Sequence, residues 1–247
     1  MKQGIFKIES NVPLTGDVMK MTLSGDTSAI TAPGQFVNIK LDGFFLRRPI
    51  SVCDLEGDKL TMIYKIVGRG TGAMASMTSG QLDVLTGLGN GYDMSCSGQE
   101  PLLIGGGAGV PPMYLLARKL LQQGKHPHVI LGFNTASEVF YEEEFKALGA
   151  GVTVTTADGS CGGTYGIKGF VTAAMGEEYS YFYACGPEAM LKAVSDASRT
   201  GGQLSFEERM GCGFGACMGC SCKTLYGNKR ICKDGPVLRK EEIIWEK

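Results

Sequence analysis

The chain has 247 residues, room for two small domains and an appendage. Hydrophobic residues make up 43%, charged residues 20%, and the net charge is −1, so no basic stripe points to nucleic acid and no polybasic run to a membrane surface. No apolar run nears the length of a membrane span, and the opening MKQGIFKIES lacks the basic and apolar regions of a signal peptide; a cytoplasmic protein is expected.

Residues 1–98 read as β. Val37, Ile39 and Leu41 alternate with Phe36, Asn38 and Lys40, and Leu60, Met62, Tyr64 and Ile66 alternate with Thr61, Ile63 and Lys65. Turn signals at Pro33-Gly34, at Glu56-Gly57-Asp58 and across residues 87–91 divide the segment into short strands, the pattern of a small antiparallel barrel or sandwich. One helix is expected around residues 72–78. Arg48-Pro49-Ile50-Ser51 follows the apolar Phe44-Phe45-Leu46, and Gly68-Arg69-Gly70-Thr71 lies between a strand and that helix. An arginine, a helix N-terminus and a hydroxyl suit a pyrophosphate. Each motif alone also fits an ordinary turn.

Residues 99–203 change character. An apolar strand at 101–104 runs into Gly105-Gly106-Gly107-Ala108-Gly109, and Pro111-Pro112 then opens a helix that continues through Met113, Leu116, Ala117 and Leu120. His126 and His128, the only histidines, share a polar linker, which argues against His-based nucleophilic or zinc-hydrolase chemistry and towards cofactor chemistry. Strands are expected at 129–133, 152–155 and 181–184. Helices are expected at 141–148 and through Met190, Ala193, Val194 and Ala197. This alternation implies a parallel sheet with helices on both faces. Backbone amides of the glycine turn can meet phosphates. The turn is not the G-x-G-x-x-G fingerprint, because Val110 takes the place of the third glycine. Asn134-Thr135 ends the second strand, so no ribose-binding carboxylate is legible there.

Residues 204–247 hold five of the nine cysteines and little apolar material, so a metal is expected to order them. Cys212-x4-Cys217-x2-Cys220, with Cys232 after eleven intervening residues, has the spacing by which plant-type ferredoxins hold a [2Fe–2S] cluster. A structural zinc site also takes four cysteines, but more often as two C-x2-C pairs. Cys222 is a fifth thiol that could replace Cys220 or Cys232.

In order, these segments resemble the ferredoxin–NADP reductase superfamily. The run from Glu208 through Cys212-Gly213-Phe214-Gly215-Ala216-Cys217-Met218-Gly219-Cys220 is similar to the cluster loop of the dihydroorotate dehydrogenase B electron-transfer subunit family. Cys232-Lys233-Asp234-Gly235-Pro236-Val237, Arg47-Arg48-Pro49-Ile50-Ser51 and Tyr141-Glu142-Glu143-Glu144-Phe145 fit the same family. The resemblance implies an α+β multidomain chain: an antiparallel FAD-binding barrel (1–98), an α/β parallel-sheet NAD-binding domain (99–203) and a small cluster domain (204–247). It implies Arg48, within Arg48-Pro49-Ile50-Ser51, on the FAD phosphate and Ser51 near the isoalloxazine edge. Ile63, Tyr64 and Lys65 would lie beside the cofactor, and Gly70 and Thr71 at its pyrophosphate. Gly105, Gly106 and Gly107 would serve NAD, and Cys185-Gly186 would lie by the reacting rings; Cys185 reads equally as a buried small apolar residue. Cys212, Cys217, Cys220 and Cys232 would ligate the cluster. The implied partner is an FMN-containing catalytic subunit, two copies of each subunit assembling. Alternatives are a reductase subunit of a sulfhydrogenase or of an NADH-dependent ferredoxin–NADP oxidoreductase and, in a different class, a zinc-stiffened nucleotide-binding sensor.

Overall fold

A computed structural model describes residues 1–161 and 166–245. Six strands, β1 (Lys2–Pro13), β2 (Val18–Ser24), β3 (Phe36–Lys40), β4 (Arg48–Glu56), β5 (Lys59–Lys65) and β6 (Gln81–Leu88), close into an antiparallel barrel in the order β1-β2-β5-β4-β3-β6. Closure leaves no strand edge unpaired. The period-2 pattern decides what fills it. Phe6, Ile8, Val37, Ile39, Leu60, Met62 and Tyr64 pack together inside, whereas Ile63, one residue out of phase, joins the neighbouring domain's core.

Helix α1 (Arg69–Ala75) follows β5 and begins earlier than the expected 72–78. The reason is local. Thr71 Oγ1 accepts from the N–H groups of Val67 (3.0 Å) and Gly68 (3.3 Å), which fixes the helix start at Gly68. At the other end Asn11 Nδ2 donates to the carbonyls of Met74 (2.9 Å) and Met77 (3.0 Å), stopping the helix before residue 78.

The second domain has the expected strands and helices, β7 (Pro101–Gly106), α2 (Val110–Gln122), β8 (His128–Phe133), α3 (Glu142–Leu148), β9 (Gly151–Thr156), then β10 (Gly166–Lys168), β11 (Tyr181–Cys185), α4 (Glu188–Ala197) and β12 (Gly202–Ser205), of which β10 and β12 lie outside the expected set. The tail adds a hairpin, β13 (Ser221–Thr224) and β14 (Gly227–Arg230), and a short strand, β15 (Val237–Arg239). The sheet order is β10-β9-β8-β7-β11-β12-β15, parallel except where β15 runs antiparallel to β12. The tail is therefore not a free appendage. Ile231, Cys220, Cys232 and Leu238 are buried against Phe36, Leu85 and Leu88 of the barrel.

The order in which strands are added reverses between the parallel neighbours β7 and β11, where Gly105 lies in register with Cys185. Crevices at such switch points are where open α/β sheets bind ligands. The domains share core as well: Val18, Cys53 and Ile63 of the barrel pack with Met113, Leu116 and Val129. Each such buried side chain contributes about 1.5–3 kcal/mol, so the two domains hold a fixed relation. Among the described residues no helix is long and apolar enough to cross a membrane.

Candidate flavin, nicotinamide and cluster sites

Arg47 and Arg48 are adjacent but differ in availability. Arg47 is fully engaged, with Nη2 3.0 Å from both Asp83 carboxylate oxygens and Nη1 donating to the carbonyls of Asn38 and Asp83. Arg48 has no carboxylate partner among the described residues; it lies over the Phe44 ring at 4.9 Å, and Arg69 lies over the same ring at 5.9 Å. Two guanidiniums thus meet beside the first turn of α1. Gly70 makes the approach possible, since a Cβ there would sit 2.0 Å from Arg48 Nε. This corner fits a pyrophosphate. Ser51, pairing with Phe36 across β3, lies farther along β4 and is half-buried. Thr71 is occupied by its capping bonds. Tyr64 points into the barrel, its hydroxyl donating to Asn11 Oδ1 at 3.1 Å, so it offers a cofactor backbone groups only. Lys65 points outward and pairs with Asp17 at 3.0 Å.

Lys65 and Asp17 border a cavity of about 670 Å³ that continues over Gly106, Gly107, Ala108 and Gly109 to Gly186, Pro187 and Glu207. The sequence-predicted glycines divide their work. Gly107 has φ 51° and open space around it; Gly106 and Gly186 face Met190, and an added Cβ would lie within 2.5 Å of that side chain. Gly105 is beneath the cavity, where a Cβ would approach Val110 Cα to 2.8 Å; its role is to let α2 pack on β7. Gly109 abuts the second turn: a Cβ would lie 2.1 Å from the Cys185 carbonyl oxygen. The Cys185 side chain is buried, and burial, helped by the nearby Glu207 carboxylate, pushes its thiol up to about 12. It is a neutral support under the crevice. Glu207 is exposed where it opens onto the cavity, and desolvation by the neighbouring protein raises its carboxyl above the usual range. Sequence reasoning missed Glu207, as it missed Asp17, Glu138 and Phe170 of the same lining.

The four thiols come as two pairs. The Cys217 N–H donates to Cys212 Sγ at 3.4 Å, and the Cys232 N–H donates to Cys220 Sγ at 3.4 Å. Two thiolate pairs suit two bridged irons. Burial raises Cys212, but the N–H groups of Cys217, Phe214 and Ala216 outweigh it and draw the thiol down to about 6. Burial and then the Cys220 thiol push Cys232 up to about 12. The Cys-x-Asp-Gly-Pro segment has a visible purpose. Asp234 binds the Arg230 side chain and N–H, and Arg230 Nη1 reaches the Gly215 carbonyl at 2.9 Å, tying the last ligand's segment to the cluster loop. Asn90 clamps the far end, its Nδ2 2.7 Å from Val237 O. Cys222, half-buried in β13, belongs to neither pair.

Residues 207–244 match the iron–sulfur cluster binding domain of dihydroorotate dehydrogenase B, and residues 103–196 match an oxidoreductase NAD-binding domain. The electron transfer subunit of dihydroorotate dehydrogenase B (NAD(+)) from Bacillus pumilus is 42% identical over 259 residues, covering 98% of each chain. The subunit so named from Fusobacterium nucleatum is 43% identical, covering 96% of each. The chain belongs to this electron transfer subunit family. In the solved structure of an NADH-dependent reduced ferredoxin–NADP oxidoreductase, a chain superposes with a TM-score of 0.87 at 29% identity, covering 98% of this chain and 90% of its own. A ferredoxin–NADP reductase from Neisseria gonorrhoeae shares the fold alone, at 18% identity, TM-score 0.68 and 80% coverage of this chain and 90% of its own.

The close approach of Arg48 to Gly70 can be tested by substitution. Gly70→Ala should leave the melting temperature almost unchanged, because the Arg48 side chain can swing aside. FAD affinity should fall about tenfold as the guanidinium leaves its corner. Flavin fluorescence titration of the deflavinated protein measures this; unchanged affinity would remove Arg48 from the flavin site.

Proposed function

We propose that this chain oxidises NADH in the switch-point cavity and passes the electrons, through its flavin and cluster sites, to the FMN of a separate dihydroorotate dehydrogenase catalytic subunit, two copies of each assembling. Arg48, Arg69 and the first turn of α1 would hold the FAD pyrophosphate, with Ser51 and the β5 backbone along the ring. Cys212, Cys217, Cys220 and Cys232 would hold the cluster. FAD accepts electrons as a pair and releases them singly, and the [2Fe–2S] centre carries one at a time. No acid–base pair in this chain is needed for that exchange.

The observation that carries the reading is how closely the three sites adjoin. Asn38 of β3 donates through Nδ2 to the Cys212 carbonyl at 3.4 Å, and its backbone pairs with Pro49, next to Arg48. The cluster loop therefore rests one strand away from the flavin strand, roughly 5 Å in sheet spacing. Across the same barrel Lys65 borders the nicotinamide cavity. The outer thiol pair faces solvent: Cys217 is exposed, flanked by Phe214 and Met218, which are 43% and 52% exposed. An apolar rim beside a ligand suits a docked acceptor subunit. The thiolate site and the reduced nicotinamide both suit the cytoplasm.

Co-expression with a candidate catalytic subunit tests the proposal. The purified pair should reduce orotate with NADH, and neither subunit alone should do so. If the complex forms but NADH reduces a ferredoxin and never orotate, the pyrimidine assignment is wrong and the ferredoxin-linked reading, favoured by the 29% identical structure, takes its place.

A further inference from the structure

The sheet lacks the acidic residue that usually ends the second strand and binds the adenosine ribose. The structure supplies a carboxylate by another route. After β8 the chain makes a tight turn at Ala136–Glu138, and this brings the Glu138 side chain back onto the strand end. Its Oε2 accepts from the Asn134 N–H (3.3 Å) and from Asn134 Nδ2 (3.1 Å). Among the described residues Oε1 accepts nothing, and Glu138 lines the cavity that holds the glycine turn. Phe170 borders the same cavity and is 73% exposed, an aromatic face open to a base. Among the described residues the only basic one in the lining is Lys65, which is on the barrel side and paired with Asp17.

We propose that Glu138 is the specificity-determining residue for the nicotinamide donor: its carboxylate accepts a hydrogen bond from the 2′-hydroxyl of the adenosine ribose and repels a 2′-phosphate, selecting NADH over NADPH. The proposal rests on the NADH reading above and deepens it. Asn134 acts as a positioning residue, its backbone N–H and its Nδ2 both donating to one carboxylate oxygen and leaving the other for the ribose. A 2′-phosphate at that place would meet a negative charge, and among the described lining residues no unpaired cation offsets it.

Calorimetric titration of the holoprotein with ADP-ribose and with 2′-phospho-ADP-ribose tests this without turnover. The native protein should bind ADP-ribose at least about tenfold more tightly. Glu138→Gln should weaken ADP-ribose about tenfold and strengthen the 2′-phosphate ligand about tenfold, a change of roughly 100-fold in their ratio. Asn134→Ala should move the ratio the same way by less. The visible spectrum of each variant checks that flavin and cluster are retained, and Glu138→Asp, which keeps the charge, should still exclude the phosphate. If both ligands bind and the ratio is the same in Glu138→Gln as in the native protein, Glu138 does not select the donor, although the cavity still takes the dinucleotide. If neither ligand binds the native protein, the nicotinamide reading itself fails and the selection with it.

Discussion

Cys217→Ser should lose its iron and acid-labile sulfide while keeping FAD. Cys217 is the exposed member of the outer pair, so a serine there creates no void and disturbs no core. A hydroxyl does not ionise at neutral pH, and an iron left with Cys212 alone is held too weakly to persist. The flavin corner is built from β4, β5 and α1, which share no side chain with the cluster loop. NADH should still bleach the flavin in stopped-flow mixing at close to the native rate. Electron flow to a partner subunit should fall to background, because only the single-electron outlet is gone. Iron and sulfide assays with the absorption spectrum decide the matter. Full retention of both would remove Cys217 from the ligand set, and zinc at full occupancy without sulfide would replace the relay with a structural ion.

Much of this arrangement was legible in the sequence, for physical reasons that differ by element. Thiol spacing is local: one tight loop must present three sulfurs, so Cys212, Cys217 and Cys220 announce themselves. Gly105 to Gly109 is also local, a strand end turning into a helix. What stayed hidden depends on contacts between distant segments. Glu138 reaches the end of β8 only because a turn folds it back onto Asn134, and no spacing rule encodes that. The start of α1 follows from the Thr71 cap, which a reading by apolar periodicity passes over. β15 has three residues, too few for any period, and is a strand only because β12 offers an edge. Glu207 follows β12 and faces the cavity through tertiary packing alone.

The relation between the two nucleotide-facing domains depends on a contact of this kind, and removing it should have the second large effect. Arg118 of α2 reaches the barrel strand β4: its Nη2 is 2.6 Å from Asp54 Oδ1 and donates to the Leu55 carbonyl at 2.6 Å. The two side chains are only 19% and 12% exposed. The geometry is imperfect, since Asp54 Oδ1 receives no well-angled hydrogen bond and Arg118 Nε has no acceptor. Burial raises the Asp54 carboxyl even against the pull of Arg118. β4 begins at Arg48 and α2 begins at the glycine turn, so Arg118, which also lies 3.8 Å from the Glu56 carboxylate, adds a polar latch between β4 and α2 to the apolar core the domains share. Arg118→Leu leaves a buried carboxylate unpaired and should cost about 3 kcal/mol. At roughly 2–4 °C per kcal/mol the melting temperature should fall by about 6–12 °C.

The pH dependence has a definite sign. Losing the cation destabilises only the ionised form of Asp54, so its raised folded-state pKa rises further in the variant. The deficit relative to the native protein is therefore full above that pKa and shrinks as the pH falls through it. Asp54→Asn combined with Arg118→Leu removes the unpaired charge and should recover about half of the loss at neutral pH, without restoring the latch. Hydride transfer from NADH to FAD should then remain slowed about tenfold in the double variant, because β4 is no longer latched to α2 and the reacting groups lose their close alignment. A double variant that regains stability and also the native rate of flavin reduction would show that Arg118 and Asp54 serve folding alone.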